Sequence, residues 1–378
     1  MTHGLRRVIA RPRARAPADP VHAMEPHFAA ARELLQRAIA DRVFPCAVVE
    51  AGTPTQPLWQ DAVGALTYEP NAPPASLDTI FDLASLTKVL ATAPLAMRAI
   101  EQGALALEDR ASMHLPQWTG ADRLDVTIRD LLAHCSGLPA HRELFLQHRG
   151  VGAFVQAISR EPLEYPPGTR SIYSDLGYIL LGAILAAGTS LAERFDTFKR
   201  QTASAQDLQF LPPDIWRRRT APARFDPWRG RRLIGEVDDS NAFALGGAAG
   251  HAGLFGTAMA VGDQARHLLQ VLDGRAGAFG QEMARTFITR RVDVPNSSRA
   301  LAWDTMLTTS SCGTRMSPRA FGHTGFTGTS LWIDPDRGFY VVLLTNRVYG
   351  GPEDGTADGI AGVRRAFHDA VIDAWLAR

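Results

Sequence analysis

The feature that most limits how this chain can fold is where its strand-like segments fall. They sit at the two ends, and the periodicity between them is mainly helical. Near the start, "CAVVEAG" (46–52) and "PLWQDAVGAL" (57–66) read as strands around a turn rich in proline and threonine, behind a helical stretch at 26–40. Near the end, "GTSLWIDPDRGFYVVLLTN" holds two apolar runs joined by Asp334-Pro335-Asp336-Arg337-Gly338, the pattern of a hairpin with a longer loop. "DGIAGVRRAFHDAVIDAWLAR" then closes the chain as an amphipathic helix. Strands at both termini with helices between them predict an antiparallel sheet assembled from both ends, α+β in class.

In the middle, "SLTKVLATAPLAMRAIEQG" carries a helical stripe at Leu86, Val89, Leu90, Ala93, Met97 and Ile100 and stops at Gly103. "VTIRDLLAHCSGLP" predicts a short helix with His134 in its last turn. "GYILLGAILAAG" (177–188) is too short to span a bilayer and reads as a buried helix. Segment 196–245, rich in Arg, Pro and Asp, reads as a long surface excursion that supplies a pocket wall and decides substrate choice. We read 1–20 as a disordered basic tail and 21–378 as a single domain, its sheet part about 21–75 and 315–378 and its helical part about 76–314. A net charge of +1 gives no bulk attraction to nucleic acid or membrane. Cys46, Cys135 and Cys312 form no CxxC pair, and the N-terminal stretch lacks the apolar core of a signal peptide, so a reduced, cytoplasmic setting is expected, or a periplasmic one if a different start supplies a leader.

Chemistry enters through a lysine. Lys88 and Lys199 are the only lysines among 40 Lys and Arg residues. Lys88 follows Ser85 by three positions, which on a helix puts both side chains on one face, about 5–6 Å apart at Cβ. A serine hydroxyl needs a base before it attacks, and a lysine can lose its proton where an arginine effectively cannot. Lys199, in "DTFKRQ", reads as an ordinary solvated lysine. Taken alone, S-x-x-K recurs by chance. Tyr173-Ser174-Asp175 stands between a Pro-Gly turn and an apolar helix. There a tyrosine relays protons beside a lysine, or simply packs the core with Asp175 as helix cap. His323-Thr324-Gly325 precedes a strand, where glycine admits close ligand approach and backbone N–H groups can face an oxyanion. No G-x-S-x-G elbow, H-E-x-x-H pair, phosphate loop or dinucleotide fingerprint is present, so no metal and no cofactor is expected.

Taken together and in this order, Ser85 and Lys88, Tyr173, and His323-Thr324-Gly325 make the chain resemble the serine β-lactamase and penicillin-binding-protein superfamily. It most resembles the class C β-lactamase-like branch, which also holds D,D-peptidases and esterases. "LLAHCSGLP" (131–139), "PPGTRSIYSDLGYILLGAI" (166–184) and "VVLLTNRV" (341–348) add to the match, which covers roughly residues 26–375. "EVDDSNAFALGGAAGHAGLFGTA" (236–258) is similar to a subgroup associated with peptidoglycan fragments.

The resemblance implies the β-lactamase/transpeptidase fold, a sheet with flanking helices plus a helical subdomain, with the site between them. It implies Ser85 as the acylated nucleophile, Lys88 as its base, and Tyr173 as a proton shuttle. Asp175 would bind substrate or orient Lys88, and His323, followed by Thr324 and Gly325, would take the lysine position of K-T-G. The amides of Ser85 and Phe326 would form the oxyanion hole, and His141 would line the pocket. Two departures stand out. Asp175 replaces the usual asparagine and should hold Lys88 protonated, shifting the base role toward Tyr173. His323 replaces lysine and leaves a weaker, pH-dependent charge for a substrate carboxylate. The expected activity is a serine hydrolase working through an acyl-serine on an ester or amide, an esterase or a peptidoglycan-fragment peptidase or amidase with weak or no β-lactamase activity. Its substrate would be a small molecule or peptidoglycan-derived. The alternative is a penicillin-recognising sensor of the same fold that does not turn over.

Overall fold

In the computed structural model, which describes residues 25–202, 207–350 and 357–377, strands from both ends of the chain pair in one sheet. The strands are β1 (Cys46–Gly52), β2 (Pro57–Gly64), β3 (Phe81–Asp82), β4 (Leu208–Phe210), β5 (Phe225–Asp226), β6 (Arg231–Arg232), β7 (Leu254–Gly256), β8 (Asp304–Thr305), β9 (Phe321–Thr324), β10 (Ser330–Asp334) and β11 (Phe339–Thr345). The main sheet runs β2-β1-β11-β10-β9-β8, and each neighbouring pair is antiparallel. Val48 on β1 faces Leu344 on β11, so the first and last strands join at the sheet's centre. The β10–β11 hairpin turns at 334–338 as expected. A small sheet, β3-β7-β4, and the ribbon β5-β6 lie outside it.

The helices used below are α1 (Ala29–Ala40), α2 (Ala93–Glu101), α3 (Ile128–Leu132), α4 (Asp175–Ala186), α5 (Leu191–Thr202), α6 (Ser240–Ala244), α7 (Ala258–Leu272) and α8 (Ala357–Leu376). Every residue of β11 is buried, because helices cover both faces of the sheet. Val341 and Leu343 join a core with Leu35 of α1 and Phe367 and Val371 of α8. Tyr340, Val342 and Leu344 join the larger core with Val261, Ala265 and Leu268 of α7. The period-two alternation of β11 thus feeds two layers at once.

Several expectations need correction. The predicted strand 57–66 ends at Gly64. His134 lies beyond the helix rather than in its last turn, because α3 ends at Leu132 and His134 takes a left-handed φ of 59°. Lys199 is not solvated: its ammonium donates to the Leu208 carbonyl at 2.5 Å and is largely buried. Segment 196–245 is not a surface excursion. It begins inside α5 and includes β4, a 3₁₀ turn, β5, β6 and α6, with Trp216, Leu233, Asp238 and Asn241 buried. Its charges pair within the segment: Arg229 with Asp226 at 2.8 Å in the interior, and, at the surface, Arg231 with Glu236 at 2.6 Å and Arg219 with Asp207 at 2.8 Å. The basic tail expected at 1–20 lies outside the described residues. Among the described residues no single helix is long and apolar enough to cross a membrane.

One ion pair ties α7 to the sheet. Glu50 on β1 is fully buried, and it accepts from Arg266 of α7 at 2.5 Å, Tyr340 at 2.6 Å and Gln60 at 2.6 Å. Burial raises its pKa, so the charge depends on these donors. Arg266→Leu is expected to lower unfolding free energy by about 3 kcal/mol in urea titrations, because it leaves a buried carboxylate unpaired. In a Glu50→Gln background the same substitution should cost far less. Equal costs in both backgrounds would show that the pair is not the source.

Candidate active site

Ser85 is presented by a strained turn. Leading into it, β3 is fixed to β7, and Leu83 N donates to Leu254 O at 2.9 Å. Ala84 then adopts a φ of +48°, in the region that favours glycine. The surroundings hold it there: Asp82 Oδ1 accepts the Ala84 amide at 2.8 Å, and the Thr87 hydroxyl donates to the Ala84 carbonyl at 2.6 Å. Strain of this kind persists only where neighbours over-determine it. Behind Ser85 the helix opens as a π-turn (Lys88–Thr92) before continuing as α2. This wider turn carries Lys88, which is fully buried.

Lys88 Nζ donates to three oxygens: Ser85 Oγ at 3.1 Å, Asp175 Oδ1 at 2.8 Å and the His251 carbonyl at 3.0 Å. The Tyr173 hydroxyl donates to Ser85 Oγ at 2.7 Å. Tyr173 and Asp175 arrive together because Ser174 caps α4. Its hydroxyl accepts the Gly177 amide at 3.3 Å, making Asp175 the first helical residue rather than the cap. Burial alone would favour neutral Lys88, but the Asp175 carboxylate and Tyr173 outweigh it and raise the pKa above the ordinary lysine range. Burial likewise opposes the Asp175 charge, and Lys88 reverses that and holds its pKa far down. Burial raises the Tyr173 pKa despite Lys88. The resting site is therefore ammonium, carboxylate and phenol.

On the other side, β9 delivers His323 and Thr324, and Gly325 follows. A Cβ on Gly325 would lie 2.1 Å from Thr329 Oγ1 and 2.7 Å from the Leu83 carbonyl, so only glycine lets this turn approach the Ser85 turn. Buried arginines hold its carbonyls inward: Arg364 of α8 donates to Gly325 O at 2.7 Å and Thr329 O at 2.8 Å, and Arg347 donates to Phe326 O at 2.6 Å. The amides of Ser85 and Phe326 have no protein acceptor among the described residues. His323 does not supply the pH-dependent charge expected of it. Its ring is buried, with Nδ1 2.8 Å from the Thr324 carbonyl, and burial, Arg299 and Lys88 push its pKa well below the ordinary histidine value.

Ser85, Tyr173, Asp175, His323, Thr324, Gly325, Phe326 and His141 all line one cleft of about 910 Å³. His141 is half exposed, 3.8 Å from Asp175 Oδ2, which raises its pKa. The sequence reading missed two residues that shape the site, Arg299 in the cleft and His134 buried behind it. Arg299 lies over the Tyr173 ring at 5.2 Å and pairs with no carboxylate among the described residues, so it is the cation that His323 is not. It sits in an unremarkable stretch, "SSRALAW", with no motif to flag it. The His134 ring packs tilted against Tyr173, centroids 4.6 Å apart, and its Nδ1 accepts the Ser174 amide at 3.0 Å, which fixes the backbone next to the tyrosine. Burial holds that ring neutral. Among the described residues no group of His, Cys, Asp or Glu could hold a metal ion.

A family model described as Beta-lactamase matches residues 31–363, and the chain belongs to that family. It is 31% identical over 319 residues to an Escherichia coli (strain K12) protein named as a D-alanyl-D-alanine carboxypeptidase, covering 72% of this chain and 70% of the relative. It is 30% identical over 313 residues to the N-acetylmuramyl-L-alanine amidase of Bacillus subtilis (strain 168), covering 71% and 68%. The class C β-lactamase from Rhodobacter sphaeroides shares the fold, with a TM-score of 0.72, 20% identity, and coverage of 92% of this chain and 99% of that one. The chain is a serine hydrolase of the β-lactamase family.

The Asp175 carboxylate, 2.8 Å from Lys88 Nζ, favours the charged ammonium. For wild type, kcat/KM on p-nitrophenyl acetate should climb with pH into the alkaline range, because the neutral amine appears only above the raised Lys88 pKa. In Asp175→Asn the climb should move about one pH unit or more lower, since the charge that raises that pKa is gone. An unmoved profile would assign the limb to another group.

Proposed function

We propose that the protein hydrolyses an amide bond in peptidoglycan-derived muropeptides through an acyl-Ser85 intermediate. The observation that carries this is Ser85 Oγ accepting from both Lys88 and Tyr173 in a cleft that also holds an unpaired Arg299. The names of the two relatives, a carboxypeptidase and an amidase of peptidoglycan, support the substrate class.

In the reactive microstate Lys88 is neutral. Ser85 Oγ attacks the scissile carbonyl, and its proton passes to the Lys88 amine, directly at 3.1 Å or through the Tyr173 hydroxyl at 2.7 Å. The amides of Ser85 and Phe326 stabilise the oxyanion. The C–N bond breaks as the same proton moves to the leaving nitrogen, which departs as the free amine. Water then attacks the acyl-serine, gives a proton to the same pair, and releases the carboxylic acid while Ser85 recovers its hydrogen. Arg299, beside Tyr173 and His323, anchors a carboxylate on the leaving group.

The test is mass spectrometry of a muropeptide digest treated with wild type or Ser85→Ala, with intact-protein mass followed in parallel. New amines and acids should appear with wild type only. A lasting penicillin adduct on Ser85 without muropeptide products would favour the sensor reading. Arg299→Gln should lower kcat/KM about tenfold or more for a substrate with a free carboxylate, while its carboxamide analogue changes little. Equal losses on both would remove Arg299 from carboxylate binding.

A further inference from the structure

The acyl-transfer steps need the Ser85 hydroxyl and the Lys88 amine at a fixed separation, which depends on two soft points. Ala84 keeps its φ of +48° only while its neighbours hold it, and Lys88 carries its amine on a flexible four-carbon stem. Two successive residues, Asp238 and Asp239, reach both points. On the serine side the buried Asp82 carboxylate makes the joint: Oδ1 accepts the Ala84 amide at 2.8 Å, and Oδ2 accepts the Asp238 amide at 2.6 Å. On the lysine side Asp239 Oδ1 accepts the Ala242 amide at 2.7 Å, capping α6, and accepts from His251 Nε2 at 2.9 Å. The carbonyl of that same buried His251 accepts from Lys88 Nζ at 3.0 Å. The span between the joints is stiff. Arg229 donates to Val237 O at 2.7 Å and to Asp238 O at 3.0 Å, and Asp226 holds Arg229 at 2.8 Å. Asp238 is itself buried, its carboxylate 3.1 Å from Arg224 Nε.

We infer that Asp82 and Asp239 are positioning residues, the two ends of a strut through 238–239 that sets where the Ser85 hydroxyl meets the Lys88 amine. This rests on the reading of Ser85 and Lys88 given above and deepens it. The two ends differ in a way that separates them experimentally. Asp82 divides its bonds between its two oxygens, so a carboxamide there turns an NH₂ onto a backbone N–H and loses one joint. Asp239 takes both bonds on Oδ1, so a carboxamide there keeps both. Folding tolerates the carboxamide at 82, because burial opposes the carboxylate and raises its pKa to about 7.

The rate at which a fluorophosphonate labels Ser85, followed above neutral pH by intact-protein mass, tests the strut. Asp82→Asn should slow labelling about tenfold or more yet reach the same final extent as wild type, because the molecules are folded but misaligned. Asp239→Ser keeps a helix cap but is one bond too short for His251, and should slow labelling comparably. The conservative Asp239→Asn should rescue most of that loss. Wild-type rates in Asp82→Asn and Asp239→Ser overturn the strut, as does a lowered final extent at an unchanged rate, which is loss of folded protein alone. An equal loss in Asp239→Asn and Asp239→Ser also overturns it, by making charge the cause. If wild type takes no label, or Ser85→Ala takes as much, the nucleophile reading fails by itself, and the side-chain NMR signal of Lys88 decides the strut. That signal should shift in Asp82→Asn and Asp239→Ser and hold its place in Asp239→Asn; a signal fixed in all three overturns it.

Discussion

The 2.8 Å contact between Lys88 and Asp175 is the interaction on which the rest of the site depends. A fully buried ammonium is costly unless a carboxylate and well-aimed acceptors compensate it. Here the carboxylate comes from the first residue of α4, the second acceptor is the His251 carbonyl, and the third is the Ser85 hydroxyl. Each partner lies on a different element, so satisfying one cation fixes the relative positions of the helix after Ser85, of α4 and of the 250–254 loop. The same contact governs the resting charge, because it favours the protonated lysine.

The scaffold follows the same logic at longer range. Strands from both ends of the chain meet in one sheet, and the last helix sends the buried Arg364 back to the carbonyls of Gly325 and Thr329. Burial pulls that arginine's pKa down to about 9, which marks how completely it has left water to brace the turn. The Gly325 turn beside Ser85 is therefore held by a residue from α8, remote in sequence from Ser85.

How much of this is legible in the sequence depends on whether a residue's role is local. The α+β class and the sheet from both termini follow from apolar periodicity at 46–64 and 328–346, and Ser85, Lys88, Tyr173 and Asp175, which the motifs single out, form one hydrogen-bonded cluster. What escaped reading was set by tertiary context. His323 carries no usable charge because its strand buries it, a fact that no local pattern encodes. Arg299 becomes the free cation only because β8 and β9 bring its loop beside Tyr173. Segment 196–245 reads as solvated because sequence shows its arginines and aspartates but not that Arg229 and Asp226 pair in the interior, beside buried Leu233 and Asn241. Lys199 misleads for the same reason, since its partner is a backbone carbonyl on β4.

The most direct measurement is the titration of Lys88 itself by NMR of protein labelled at the lysine side chain, which is simple because Lys88 and Lys199 are the only lysines. With Asp175 in place, Lys88 should remain an ammonium beyond about 10.4, the ordinary lysine pKa, and in Asp175→Asn it should lose its proton at lower pH. A wild-type Lys88 that deprotonates near neutral pH would contradict the account. The ion pair would then not govern the resting state, and the amine would be a ready base without any brake.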